Sequence, residues 1–378
     1  MRIFKNLQID WMKNRKIFFI ISTVLFAAGM LSLIFKGLEF GIDFKGGTEI
    51  VLRFEQDIQI SEVRNLISGT GLGEVEVKTY GDANSVLIRT ELQDLPKEVV
   101  PKVIETLKNT ISKGNDTIQV TMQEPSQNFV VVQFPTPETA NMMYDYLNAE
   151  GFKNLKMSEE ITNTQLRVRI GISEWIKETL QEKFKNNRFT VMREDRVGPK
   201  VGDELKSDAI IAVVLSLLGI LIYLAFRFKL IFATGAVVAL FHDVLITLGL
   251  YSILYSIMPF NLQIDLTVVA AFLTLVGYSI NDTVIVFDRV REILKIHKNE
   301  PIEKLINMSI NKTMSRTILT GGTTLLAVAV LFILGGEVLR PFAFTLFFGI
   351  IIGTYSSIFV ASALVLEYAQ RKKAKIEF

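Results

Sequence analysis

Gly277-Tyr-Ser-Ile-Asn-Asp-Thr-Val-Ile-Val-Phe-Asp-Arg-Val-Arg291 is the stretch whose reading decides the fold. It starts inside a long apolar run and leaves it through a cluster of charges, so it reads as a membrane-spanning helix with Asn281, Asp282 and Thr283 set into it. An ionised carboxylate at that depth costs about 2.5–3.5 kcal/mol on insertion scales. Serine or asparagine would hydrogen-bond a neighbouring helix more cheaply. Asp282 is therefore expected to be functional and to have a partner.

The composition agrees with a membrane protein that also has a folded polar part. The 378 residues are 49% hydrophobic yet 21% charged, which fits a membrane bundle joined to a soluble domain. A net charge of +2 with scattered lysines gives no argument for nucleic acid. There is no cysteine for a disulfide framework or thiolate chemistry. His242 and His297 lack acidic or thiol ligands at metal spacing, so neither a metal nor another cofactor is expected, and no enzyme activity.

Six apolar runs are long enough to cross a bilayer: 17–35, 209–226, 230–253, 266–287, 318–334 and 342–366. The first follows a basic segment, residues 1–16, as a signal peptide would. It spans about 19 residues, however, and no small-residue cleavage site follows it, so it is expected to stay as a transmembrane helix. Arg227 and Lys229 join the second and third runs. Arg289, Arg291, Lys295, Lys298, Lys304, Lys312 and Arg316 join the fourth and fifth, and the tail at 367–378 is basic. The connection at 251–263 has no basic residue. The positive-inside rule then places both termini in the cytoplasm and the segment 36–206 outside.

That outer segment contains an internal repeat. Strands at 49–54, 75–80, 85–90 and 117–122 alternate with helices at 60–68 and 96–111. The pattern restarts with strands at 129–134, 155–158, 165–170 and 189–194 and helices at 137–149 and 173–185. Each half reads βαββαβ, the ferredoxin-like arrangement. Turn signals at Gly71, Gly73, Gly81 and Gly151 fall at the connections. Two tandem units are expected, residues 36–124 and 125–206, with the boundary near Glu124-Pro125-Ser126. The fold class is thus a polytopic α-helical membrane protein with a two-unit α+β extracytoplasmic domain, the bundle occupying 207–366.

Several motifs have plain structural readings. Gly69-Thr-Gly-Leu-Gly73 lacks the Lys-Ser/Thr ending of a phosphate loop and follows a helix instead of opening one. Gly41-Ile-Asp-Phe-Lys-Gly-Gly47 reads as a hinge, its glycines allowing positive φ and Asp43 bonding its own turn. Asp265 reads as a helix cap. Pro199 within Val197-Gly-Pro-Lys-Val-Gly202 reads as a break, with Asp203 or Ser207 capping the next helix. Gly349 and Gly353 have GxxxG spacing and mark close helix packing, internal or against a partner. Asp243 lies near the midplane, about 13 residues or roughly 20 Å along its run, with His242 before it. That pair fits a proton path or a packing anchor.

The stretch from Gly277 to Glu292 resembles the signature of the SecF family, membrane subunits that accompany SecD in bacterial protein export. Gly41–Gly47, Val197–Gly202 and Phe241-His-Asp-Val244 match the same family at the expected places. The matching motif residues include Gly41, Asp43, Gly46, Gly47, Gly198, Pro199, Gly202, Asp288 and Arg289. The resemblance implies a proton relay in which Asp282 and Arg316, the arginine of Ser315-Arg-Thr317, conduct; Asp243, Asn281 and Thr283 are read beside them as weaker candidate members. It implies the proton as coupling ion, with Na⁺ as the alternative. It further implies the cytoplasmic (inner) membrane as location, and SecD, the SecYEG translocon with its accessory membrane subunits, and unfolded exported polypeptide as partners. Family members are expected to carry one outer unit, so the second reads as a departure. The competing readings are half of a small-molecule exporter of the resistance–nodulation–division type and a structural subunit without transport.

Overall fold

The computed structural model describes residues 7–114, 120–123, 125, 128–150, 152–157, 164–297 and 299–372. Glu124, Ser126, Gly151, parts of the strands expected at 117–122 and 155–158, and the basic tail beyond residue 372 lie outside the described residues. In chain order the elements begin with α1 (Arg15–Phe35), α2 (Ile42–Lys45), β1 (Gly47–Phe54), α3 (Ile60–Ser68), β2 (Val75–Tyr80), β3 (Asp82–Thr90) and α4 (Val100–Gly114). They continue with β4 (Thr121–Met122), β5 (Phe129–Gln133), α5 (Pro137–Ala149), β6 (Asn154–Lys156), β7 (Gln165–Arg169), α6 (Ile172–Lys183) and β8 (Phe189–Val197). Then come α7 (Pro199–Arg227), α8 (Leu230–Leu254), α9 (Leu266–Ile296), α10 (Ile302–Leu334), α11 (Gly336–Ser356) and α12 (Ser362–Lys372). Residues 42–204 form one compact unit and the chain on either side forms a second.

The α+β unit keeps the expected order of elements, βαββαβ twice over. Its sheets are assembled differently from its sequence. One sheet runs β2-β3-β1-β8 and the other β4-β5-β7-β6. The last strand of each repeat has been exchanged: β8 pairs antiparallel with β1, and β4 with β5. Helix α6 travels with β8 and packs on β1 and α3, while α4 packs on α5. One apolar core runs through both sheets, from Ile50, Leu52 and Ile88 to Val130, Leu166 and Val168. Local chemistry accounts for the individual elements. Thr136 and Thr139 form a reciprocal capping box at the start of α5, with Pro137 in its first turn.

A network of charges clasps the exchanged strand. Glu194 on β8 pairs with Lys177 of α6 at 3.2 Å and with Arg169 of β7 at 3.3 Å, and Lys153 reaches it at 3.1 Å. Farther along α6, burial, reinforced by Glu182 and only partly offset by Lys113, pushes the Glu178 carboxyl up to about 8. A carboxyl raised on folding contributes stability that is fully present below its unfolded value near 4.5 and is lost as pH rises through about 8. Glu178→Gln is therefore expected to raise the unfolding temperature of the α+β unit at the upper end of that window and leave it unchanged at the lower end. Thermal unfolding at the two pH values checks it.

The other unit contains helices long and apolar enough to cross a membrane, six among the described residues when the start of α7 is included. Helices α8, α9 and α11 are the most deeply buried, whereas α1, α7 and α10 present apolar faces outward. Helix α7 starts at Pro199 and runs unbroken through Asp203 and Ser207. The expectation of a cap at either residue is thus corrected. Proline's fixed φ suits the first turn of a helix, where its missing N–H is no loss. Asp265 does cap α9, its Oδ1 accepting from Val268 N at 2.8 Å. At one point α1 and α8 touch backbone to backbone, where a Cβ added at Gly249 would lie 2.6 Å from Gly29 Cα.

The two glycine-rich motifs of the α+β unit pack on each other. Gly46 and Gly47 have φ of 73° and 113°, which strains any residue with a Cβ. A Cβ on Gly47 would stand 2.2 Å from Thr90 O, one on Gly46 3.1 Å from Pro199 Cα, and one on Gly202 3.2 Å from Gly46 N. The stretch read as a hinge is a tightly braced turn around the short helix α2.

Candidate functional site

Two carboxylates lie inside the membrane bundle. Asp243 on α8 is 0% exposed and fully partnered. Ser279 of α9 donates to its Oδ2 at 2.5 Å and Ser356 of α11 to the same oxygen at 2.8 Å. His242 Nδ1 lies 3.0 Å from its Oδ1. Asp282 on α9 is 1% exposed and only half partnered. Thr354 of α11 donates to its Oδ2 at 3.2 Å, and its buried Oδ1 has no hydrogen-bond partner among the described residues. Buried polar groups are nearly always satisfied, so that oxygen is a place where a proton or a moving donor is wanted.

Glycines bring α11 and α9 together. Gly349 and Gly353 face α9, where added Cβ atoms would lie 2.5 Å from a Leu275 methyl and 3.0 Å from Ser279 Cβ. The GxxxG spacing therefore serves internal packing. That close approach lets Thr354 and Ser356, on the same helix, reach carboxylates on two different neighbours. Just after them α11 widens into a π-helical turn, Ser357–Ala361, a local distortion of the helical ladder often found at functional sites.

Not every residue singled out in the sequence joins this cluster. Thr283 is buried, and its hydroxyl bonds back to Ser279 O at 3.4 Å. Asn281 is exposed on the other side of α9. Arg316 on α10 is exposed, and among the described residues it makes no ion pair with Asp282. Asp288 instead pairs with Arg227 at the end of α7, both carboxylate oxygens 2.8 Å from one guanidinium nitrogen. Arg289 pairs with Glu292. Gly41 donates its N–H to Ile264 O at 2.8 Å.

Ser279, Thr354, Ser356, Ser22 and Tyr355 went unnoticed in the sequence. Ser279 carried a faint signal, lying one helical turn before Asp282 on the same face. The others are single hydroxyls in apolar runs, a common occurrence in membrane helices.

Comparison with known proteins gives a consistent answer. Residues 176–371 match the family described as protein export membrane protein SecD/SecF, C-terminal, and residues 31–58 match the SecD/SecF GG motif. The protein translocase subunit SecF of Rhodothermus marinus is 40% identical over 375 residues, covering 99% of this chain and 98% of that one. That of Koribacter versatilis is 37% identical, covering 98% and 94%. The first match runs nearly the length of both chains and so includes the stretch read as a second repeat. Among solved structures, the crystal structure of SecDF from Thermus thermophilus, a translocon-associated membrane protein, aligns with a TM-score of 0.65 and 28% identity. The alignment covers 97% of this chain and 39% of that longer one.

Proposed function

The chain belongs to the SecF family of protein translocase subunits, and from that premise we propose that it couples ion flow through its membrane bundle to the export of unfolded polypeptide. The observation that carries this reading is the buried Asp282 carboxyl with one unpartnered oxygen. A bundle built only to hold a complex together gains nothing from that arrangement. In this proposal the proton is the coupling ion, and Asp282 gains and loses it as helices part. The exposed Arg316 guanidinium approaches Asp282 in one state and withdraws in another, favouring first the ionised and then the protonated carboxyl.

The proposed partners are a SecD chain, which would supply a second membrane half like the remainder of the longer SecDF chain, the SecYEG translocon, and the exported polypeptide. Both termini are assigned to the cytoplasm on the strength of the basic loops, and the membrane to the bacterial inner membrane on the strength of the family. Each elementary charge crossing 100 mV releases about 2.3 kcal/mol. A few such charges match the strength of a weak protein–peptide contact, so they suffice to reset a loose grip on a passing chain.

Inverted membrane vesicles containing this chain and SecD test the proposal. Export of an unfolded precursor should be stimulated by a proton gradient, and a protonophore should remove the stimulation. If a sodium ionophore removes it and a protonophore does not, the ion is Na⁺. If neither does, ion coupling is wrong. In the same assay Arg316→Lys is expected to lose part of the stimulation, because an ammonium keeps the charge but not the planar fork. Arg316→Ala should lose most of it. Wild-type behaviour by both would reduce Arg316 to a topology anchor.

A further inference from the structure

Four polar contacts run in series through the bundle. Asp243 Oδ1 meets His242 Nδ1 at 3.0 Å, and His242 Nε2 meets Ser22 Oγ of α1 at 2.9 Å. Ser22 Oγ meets the Tyr355 hydroxyl of α11 at 2.9 Å, and that hydroxyl donates to Phe18 O at 2.6 Å. The last contact sets the direction of all the others, because a backbone carbonyl only accepts. Tyr355 has one hydroxyl proton and gives it to Phe18. Ser22 must then donate to the Tyr355 oxygen, and His242 must donate from Nε2 to Ser22.

One contact is left over. Asp243 Oδ2 already accepts from Ser279 and Ser356, and His242 Nε2 already carries its proton. The Nδ1 to Oδ1 contact is a hydrogen bond only if it contains one further proton, on the carboxyl or on the ring. Either placement makes the pair electrically neutral, as a completely buried acid in a membrane core requires. Without that proton a carboxylate oxygen would face a bare nitrogen lone pair in a dry site.

We propose that His242 and Asp243 together hold one exchangeable proton, a binding site separate from Asp282, and that Ser22 and Tyr355 tie it to α1. The role of the site in export rests on the ion-coupling reading above. The groups facing it are Ser22 from α1, Ser279 from α9, and Tyr355 and Ser356 from α11. The nearest carboxyl along the chain of α9 is Asp282, one turn beyond Ser279, and no lysine or arginine pairs with His242 or Asp243 among the described residues. The wire also lengthens the seam between α1 and α8, which contains the Gly29–Gly249 contact and a 2.7 Å bond between Ser32 and Ser252. Helix α1 precedes the α+β unit in the chain, so a proton arriving or leaving at α8 acts on the helix that the chain connects to that unit.

The chain has two histidines, and His297 is exposed, so His297→Gln leaves His242 as a single spectroscopic probe. Full-length protein labelled with ¹⁵N-histidine in lipid bilayers should show Nε2 protonated at neutral pH. Asp243→Asn should move the Nδ1 resonance. Tyr355→Phe keeps the ring packed against Phe18 and Phe359 but removes the terminal donor. It should convert the fixed tautomer to a mixture and reduce gradient-driven export about fivefold, the scale of one lost hydrogen bond. A bare Nε2 in the parent protein, or a ring spectrum indifferent to both Asp243→Asn and Tyr355→Phe, overturns the proposal. Export that ignores the proton gradient altogether would instead defeat the ion-coupling reading, and the ring spectrum would still decide whether the proton site exists.

Discussion

Asp282→Asn is expected to insert and fold as well as the parent chain, yet to lose nearly all gradient-driven export, tenfold or more on the scale of losing a proton-transferring group. The two side chains have the same shape. Thr354 can still donate to the amide oxygen, and the oxygen that asparagine replaces by nitrogen has no partner to lose. Removing an ionisable group from the bundle also relieves part of an insertion cost of about 2.5–3.5 kcal/mol, so the thermal stability of purified protein should stay level or rise. A variant that is folded, stable and silent distinguishes a relay from a packing role. Asp282→Glu should be partly active, since it keeps a titratable group displaced by one methylene. Export at the parent rate by Asp282→Asn would remove Asp282 from the mechanism.

Deleting residues 128–194, the second repeat as the sequence presents it, is expected to unfold the whole α+β unit. The deletion takes most of β8 from the first sheet, exposing the edge of β1, and takes β5, β6 and β7 away from β4. A cut drawn along the sheets should behave differently. Replacing residues 97–170 by a short flexible linker keeps β1, α3, β2, β3, α6 and β8, a complete four-stranded sheet with two helices on it. Limited proteolysis of the full-length variants in membranes gives the readout. The first should be cleaved rapidly throughout the unit, and the second should retain a resistant fragment. The opposite result would mean that the two repeats fold as they are written.

The contrast between those deletions marks how far the sequence could be read. Run length and apolarity reveal six membrane helices, since a bilayer imposes a length that little else does. Period-two and period-3.6 patterns reveal the order of strands and helices in the α+β unit. Neither says which strand lies beside which. Alternation specifies a buried face and not a neighbour, so β4 and β8 looked equally at home in their own repeats. The site followed the same division. Asp282 and Asp243 stood out because charge in an apolar run is expensive, and Asp265 because a cap is a local matter. The donors to Asp243 come from positions 36 and 113 residues away, a proximity created by helix packing alone. Pro199 reads as a break in the sequence yet opens α7, because proline ends some helices and begins others, and only the backbone before it decides which.

The two strands that enter and leave the α+β unit also determine how it responds to a pull. Gly47 and Val197 are opposite residues at the end of one antiparallel ladder, and the chain continues from them toward α1 and α7. Tension applied between those helices would load the ladder in an unzipping direction, one rung after another from that end, instead of shearing all rungs at once. The packing of Gly46 and Gly47 against Thr90, Pro199 and Gly202 acts as a stop at the first rung. The sheet begins to peel only when that packing gives way.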